Sequence, residues 1–242
     1  MALLVRLTVR EPPRGMSEPY LVSIRGYSVR ETCRFLATLT AGRCISLAAA
    51  FRAFAGYGLA TWIPAFFVRL HHMTPGELGL WLSWIVAVGG GLGTFAGGWI
   101  ADHWGRREPR ARAYIGMMSA LLSLPFTATG LLLADQRLAL LCFLPANLFG
   151  AMWLGPSGAI VQDLVPPPMR AMAAAIFIFI LTIIGLGAGP QTVGILNDWI
   201  GTPDAIRYSL LGTVIVMDLC AALFFWLTGK TLAQDLEAKK RL

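Results

Sequence analysis

Six stretches of this chain are each long and apolar enough to cross a lipid bilayer. The hydrocarbon core of a bilayer is about 30 Å thick, and about 20 apolar helical residues span it. A helix satisfies its own backbone groups, which an open structure cannot do in lipid. The sequence therefore predicts an all-α, polytopic membrane protein. The predicted spans run from Cys44 to Val68, Leu78 to Ala101, Ala113 to Ala134, Leu138 to Val161, Met169 to Leu196 and Tyr208 to Thr228.

The low content of charged residues supports the same fold class. Only 14% of the 242 residues are charged, whereas soluble domains contain about a quarter. The net charge is +7, but most Arg and Lys residues lie in short connectors between apolar stretches, where they set the topology of membrane proteins. The expected partner is therefore the lipid bilayer, and nucleic acid is not expected to bind.

Basic residues are concentrated on one side of the predicted bundle. The connectors of the opposite side contain only Arg69, Arg137 and Arg207. Because basic connectors stay in the cytoplasm, both termini of this multi-pass protein are predicted to lie on the cytoplasmic side of the plasma (inner) membrane. Residues 1–43 would be a cytoplasmic linker, 44–228 a six-helix transmembrane bundle, and 229–242 a cytoplasmic C-terminal tail.

The linker before the first span allows two interpretations. Glu11 to Gly15 reads as a break, and Val29 to Leu39 can form an interfacial helix. In that helix Arg30 and Arg34 would point to lipid headgroups while apolar residues such as Leu36 cluster on another side. The alternative is a flexible basic linker.

No combination of residues indicates an enzyme. The four cysteines share no short spacing, so neither a disulfide framework nor a zinc site is predicted. His71 and His72, with Glu77 nearby, could form a metal site or a pH sensor, but a solvated loop is the simpler interpretation. The sequence offers no set of nucleophile, base and oxyanion donors. We therefore expect no catalytic residues, cofactor or resident metal.

The connector between the second and third spans combines an acidic residue, a glycine turn and two arginines. It reads Gly98-Trp-Ile-Ala-Asp102-His-Trp-Gly105-Arg106-Arg107. An aspartate at a helix end, followed by basic residues, can hold adjacent helices in register through charge-assisted hydrogen bonds and contacts to a helix N-terminus. Such a latch depends on conformation, which is typical of a transporter.

This connector resembles the cytoplasmic loop signature of the major facilitator superfamily. His103 stands where that family usually has a basic residue. Other segments resemble spinster-like bacterial members of the family. The residues that carry the loop resemblance are Gly98, Asp102, Gly105, Arg106 and Arg107, and the further segments are 62–69, 165–170 and 185–190.

The resemblance implies half of a secondary active transporter. Members normally have twelve spans, and this chain resembles spans seven to twelve, preceded by the tail of the central loop. A small or amphipathic organic solute would then cross by alternating access, with a missing N-terminal six-span half or a second copy completing the carrier. The alternative is a truncated, non-transporting membrane protein or a helical module that assembles with other membrane subunits.

Polar and aromatic residues within the spans are the candidates for the substrate path. Arg52 either faces a cavity or extends to the cytoplasmic headgroups. Asn147 makes either a substrate contact or an interhelical hydrogen bond, and Tyr57 and Trp153 are aromatic candidates. Asp218 could couple transport to a proton, but the resemblance places it in a peripheral span, which favours a neutral or hydrogen-bonded structural residue.

Two spans carry glycines at four-residue intervals. Gly89, Gly93 and Gly97 repeat in the second span, and Gly185 and Gly189 repeat in the fifth. Small residues at this spacing let helices approach closely. Pro190 removes a backbone hydrogen bond and predicts a kink in the fifth span.

Overall fold

Seven helices make up the part of the chain that the structure describes. The computed structural model describes residues 27–240, with side chains through Glu237. The break predicted at Glu11 to Gly15 lies outside this range. Within it there is no strand, and six helices are long and apolar enough to cross a membrane, which confirms the predicted all-α fold. The helices are α1 (Val29–Thr38), α2 (Thr40–Leu70), α3 (Pro75–Gly105), α4 (Ala111–Leu132), α5 (Gln136–Leu164), α6 (Pro167–Ile200) and α7 (Ala205–Lys240).

Short polar residues fix where several helices begin. The Ser28 hydroxyl accepts a hydrogen bond from the Glu31 amide at 3.2 Å, and Glu31 accepts one from the Ser28 amide at 2.8 Å, forming a capping box for α1. Thr74 caps α3, and Asp135 caps α5 by accepting from the Arg137 and Leu138 amides. These caps satisfy amides that have no partner inside their helix.

The start of α2 is capped by a residue from the other end of the chain. Its own N-cap, Leu39, provides no side-chain hydrogen bond. Instead the Asp235 carboxylate accepts a hydrogen bond from the Ala41 amide at 2.7 Å. The helix consequently begins at Thr40, four residues before the predicted start of the span at Cys44, and α7 continues as a helix to Lys240, within the predicted tail.

Two membrane helices contain π-helical segments. One covers Ile85–Gly90 in α3, and the other covers Thr182–Ala188 in α6. The second ends two residues before Pro190, which cannot donate a backbone hydrogen bond to the preceding turn. A π segment widens the helix by one residue and is a common site of bending.

The bundle has α2 near its centre. This helix packs along α7 and α6, while α4 packs against α7 and α5. One buried cluster includes Ile45 and Phe225, and a second includes Phe66 and Leu140. In the most apolar part of each helix, 56% of residues are buried in α2 but only 22% in α3 and 28% in α5 and α6. Much of α3, α5 and α6 therefore remains available to lipid or to another protein.

Candidate functional site

A cavity of about 420 Å³ opens between the membrane helices. All six membrane helices contribute to it, and most of its lining is apolar. Its polar side chains come from four helices: Arg52, Tyr57, Thr127, Asn147 and Asp218. An apolar cavity with a few convergent polar groups is the usual form of a small-molecule site.

An ion pair between Arg52 and Asp218 forms the most polar part of the cavity wall. Arg52 Nη1 donates to Asp218 Oδ1 at 2.8 Å, and the two side chains are only 8% and 1% exposed. Arg52 Nη2 also donates to the Ser123 hydroxyl and to the Gly150 carbonyl, each at 3.1 Å. The guanidinium therefore connects α2 to α4, α5 and α7.

The position of Arg52 along α2 bears on the two interpretations that the sequence left open. It lies twelve residues after Thr40, the first residue of α2, which places it about 18 Å along the helix at 1.5 Å per residue. A side chain that extended to the headgroups would not be buried and bonded to three other helices. Arg52 instead faces the cavity, because its charge is compensated there by Asp218.

Asp218 also differs from the peripheral position that the resemblance favoured. Its side chain lines the cavity and accepts from Arg52, while its second oxygen lies 3.5 Å from the Ser123 hydroxyl. A buried carboxylate is costly unless it is paired. Arg52 supplies that partner, so the span containing Asp218 contributes directly to the site.

The Arg52 guanidinium retains hydrogen-bonding capacity. Its Nε is buried and has no partner among the described residues. A buried donor without a partner costs about 1–3 kcal/mol.

The other predicted path residues also line the cavity. Tyr57 is 41% exposed, and Trp153 is 9% exposed and packs into a buried cluster as well. Asn147 is half-buried and lies against Gly89 and Gly90 of the π segment in α3. Its amide is thus positioned both at the cavity and at a helix contact.

Both glycine repeats lie where helices approach closely. A Cβ at Gly93 would overlap the Leu148 backbone, and one at Gly97 would overlap the Met152 backbone. A Cβ at Gly89 would lie 3.0 Å from the Leu144 carbonyl. This face of α3 therefore packs against the backbone of α5.

The second repeat packs against α2. A Cβ at Gly185 would lie 2.8 Å from Ala53 and Tyr57, and one at Gly189 would lie 2.6 Å from the Phe54 carbonyl. Side chains at either position would push α6 away from α2.

The loop motif, Gly98 to Arg107, has its acidic residue exposed in the last turn of α3. Asp102 makes no ion pair with another residue in the range 27–237, and Arg106 and Arg107 are exposed. Gly105 does not have a positive φ. A Cβ there would lie 2.8 Å from Arg112 Nε, so the flexible Arg112 side chain would have to move to accommodate a larger residue.

Two residues of α4 were missed as functional candidates. Arg112 of α4 forms an ion pair with Asp163 of α5, which joins the cytoplasmic-facing ends predicted for these helices. Ser123, in the middle of α4, bonds to Arg52. The available signal for Ser123 was a hydroxyl in an apolar span, which is too common to identify a site.

Among the described residues no group of three His, Cys, Asp or Glu side chains could hold a metal ion.

A family model described as the Major Facilitator Superfamily matches residues 1–190 and, in a second alignment, residues 45–241. The chain belongs to the Major Facilitator Superfamily. It is accordingly a multi-pass membrane protein from a family of transporters, as the connector motif indicated.

Individual members of the superfamily agree with this assignment. An "MFS-type efflux pump" of Mycolicibacterium smegmatis (strain ATCC 700084 / mc(2)155) is 34% identical over 196 residues, covering 79% of this chain and 45% of the pump. The crystal structure of a bacterial homologue of the human lysosomal transporter Spinster, inward-facing and unoccupied, has a TM-score of 0.78 at 25% identity and covers 97% of this chain and 57% of the homologue. The inward-facing, occupied form has a TM-score of 0.73, again at 25% identity, with 97% and 56% covered. The chain thus spans about half the length of these superfamily members.

Proposed function

We propose that this chain forms the C-terminal six-span half of a secondary transporter that moves a small or amphipathic organic solute by alternating access. The family assignment and the half-length match to its relatives support this proposal. A six-span N-terminal half, or a second copy of the chain, would close the cavity from the other side. The weakly buried faces of α3, α5 and α6 are available for that contact.

The observation that carries the proposal is the Arg52–Asp218 ion pair in the cavity wall. A mostly apolar lining that holds this ion pair and a few other polar groups suits a solute with an apolar body and an oxygen-bearing group. The solute oxygen would accept from Arg52 in place of Asp218. A proton taken up by the displaced Asp218 carboxylate would couple solute binding to proton movement.

Asp102 is proposed to act as a conformational latch rather than as a binding residue. It is exposed and unpaired among the described residues, so its carboxylate is free to contact a helix N-terminus of the partner half. This contact would form in one state of the cycle and break in the other. We also propose that the protein lies in the inner membrane, with both termini and this connector on its cytoplasmic side.

Flux through a completed carrier tests the function. The chain is fused to the N-terminal six spans of the Mycolicibacterium smegmatis pump and reconstituted in proteoliposomes with an inward proton gradient. The probe is a dansyl-labelled fatty acid, an anionic amphiphile. We expect flux above protein-free vesicles and at least a tenfold loss for Arg52→Gln, which removes about 1.4 kcal/mol or more of differential binding.

The matched control is Arg69→Gln, because Arg69 is exposed at the other end of the same helix. It should transport as well as the unaltered chain. Asp102→Asn should reduce flux while leaving membrane insertion intact, and Asp204→Asn is its exposed control. If the fusion inserts but moves no probe, and a cationic or neutral amphiphile does no better, the chain is an assembly module rather than half of a carrier.

A further inference from the structure

A groove between helix α1 and the membrane helices that it contacts forms a second cavity, separate from the one that Arg52 and Asp218 line. It has a volume of about 460 Å³ and lies between α1, the first turns of α2, and α6. Ile176, Ile180 and Ile184 form its α6 wall, and Cys33 and Ala37 form its α1 wall. The three isoleucines are four residues apart and therefore line one face of their helix. The groove is almost entirely apolar.

The position of α1 keeps this groove open. Thr32 and Leu36 are buried against the bundle, whereas Cys33 and Ala37 are exposed. The helix is fixed at its start by the Ser28 and Glu31 capping box. It therefore docks on α2 and α6 through one face only and leaves a gap beside Cys33.

One arginine lines the groove, and two more lie on helix α1 beside it. Arg43 lines it, and the Arg43 guanidinium is bonded only to the Thr40 hydroxyl, at 3.3 Å. Arg30 and Arg34 are exposed on α1. Arg30 lies within about 60° of Cys33 around the helix axis, so these two residues are on adjoining faces. None of these three arginines forms an ion pair with a carboxylate in the range 27–237.

The arginines outnumber the carboxylates near them. Glu31 belongs to the α1 capping box and Asp235 accepts from the Ala41 amide, and both carboxylates keep their negative charge in these hydrogen bonds. Three positive charges against two negative ones leave a small positive excess among the described side chains at the end of the apolar groove. Within a bilayer, the abundant ligand that combines an apolar chain with an anionic group is an anionic phospholipid.

We propose that this groove, formed by α1, α2 and α6, is a binding site for one anionic phospholipid. An acyl chain occupies the space between Ile180 and Cys33, and the phosphate contacts Arg43, with Arg30 and Arg34 adding to the local positive charge. The site is independent of the transport proposal, because it uses neither the substrate cavity nor a second half.

Protection of Cys33 from a thiol reagent measures occupancy directly. The unaltered chain is placed in nanodiscs of phosphatidylglycerol or of phosphatidylcholine and treated with N-ethylmaleimide, and labelling at each cysteine is measured by peptide mass spectrometry. We expect labelling of Cys33 to be at least fivefold slower in phosphatidylglycerol. A thiol introduced by Gln234→Cys, exposed on α7 toward the same end of the bundle, reports the effect of the anionic surface alone and should show a smaller change.

Two variants separate the headgroup from the acyl chain. Arg43→Gln should reduce the protection by about fivefold, the effect of losing one cation near an anionic lipid, and Arg69→Gln should not. Ala37→Trp fills the groove, so native mass spectrometry should then show one phosphatidylglycerol fewer retained per chain.

Three results would overturn the proposal. Equal protection in both lipids would mean that the groove accepts any acyl chain without reading the headgroup. Protection that appears only with two chains per nanodisc would make a second copy the occupant. Unprotected Cys33 in phosphatidylglycerol, with Ala37→Trp retaining as much lipid as the unaltered chain, would leave the groove empty.

Discussion

At the scale of single residues, Arg52 and Asp218 are mutually dependent. Each is buried, and each provides the main charge partner of the other. Removing one partner of such a pair leaves an uncompensated charge, which typically costs about 3–5 kcal/mol. We therefore expect Arg52→Gln and Asp218→Asn each to lower the free energy of unfolding substantially, as measured by denaturation in mixed micelles.

The double variant Arg52→Met with Asp218→Leu should be less destabilised than the sum of the single variants, because no charge is left behind. Asp198→Asn, an exposed change on α6, should be nearly neutral. Strictly additive single effects would mean that the two side chains do not stabilise each other.

His71, which follows the last residue of α2, makes a pH-dependent contribution to the stability of the protein. Partial burial lowers the pKa of His71, and the nearby Arg207 charge lowers it further. Smaller effects of the Ala134 backbone and of Asp135 raise this pKa, and a small effect of His72 lowers it, without reversing the net shift. A lowered pKa in the folded state means that the unfolded chain binds the proton more readily. Stability from this group is therefore present above the unfolded pKa of about 6.5 and is lost as the pH falls below it.

Melting temperatures at pH 7.5 and pH 5.5 test this expectation. The unaltered chain should lose more stability on acidification than His71→Gln does. His72→Gln, at an exposed position, is the matched control and should keep the steeper pH dependence. Equal pH dependence in all three proteins would contradict the assignment.

At the scale of helices, the contact between α3 and α5 depends on glycine. Gly93→Ala would place a methyl group on the Leu148 backbone, so the two helices would have to separate. Overpacking of this kind costs about 1–3 kcal/mol. Gly91→Ala is the control in the same helix, because a Cβ there meets nothing within 4 Å, and it should be neutral or slightly stabilising. Similar losses in both variants would show that helix flexibility matters rather than close packing.

Helix-level features differ in how far the sequence could predict them. The spacing of Gly89, Gly93 and Gly97 identified a close-packing face, but not that α5 would cover it. The π segments left no distinct sequence pattern, because glycine-rich stretches such as 85–90 also occur in regular membrane helices. The helix Val29–Thr38 was one of two interpretations, and its docking on α6 depends on contacts between residues far apart in the chain.

At the scale of the whole molecule, the proposed orientation makes opposite connectors accessible from opposite sides. A thiol introduced by Thr202→Cys, between α6 and α7, should react with a membrane-impermeant maleimide in intact cells. One introduced by Glu108→Cys, between α3 and α4, should react only after the cells are lysed. Both positions are exposed, so burial does not confound the comparison. The reverse pattern would invert the topology.

The number of spans and the family followed from hydropathy and from one connector, because both are local in sequence. The site did not. Arg52 and Asp218 are 166 residues apart, and each had a reasonable independent interpretation, as a headgroup contact or as a peripheral structural residue. Only their proximity in the folded bundle shows that the two charges compensate each other across the cavity.

The hydrogen bond from the Ala41 amide to Asp235 brings the beginning of the first membrane helix and the end of the last one together. The start of α2 and the end of α7 are therefore neighbours at the same end of the bundle. A circularly permuted gene that joins these ends through a short linker, and opens the chain at another connector on the same side, would preserve the direction of every helix. The order in which the helices are synthesised is therefore separable from the way in which they pack.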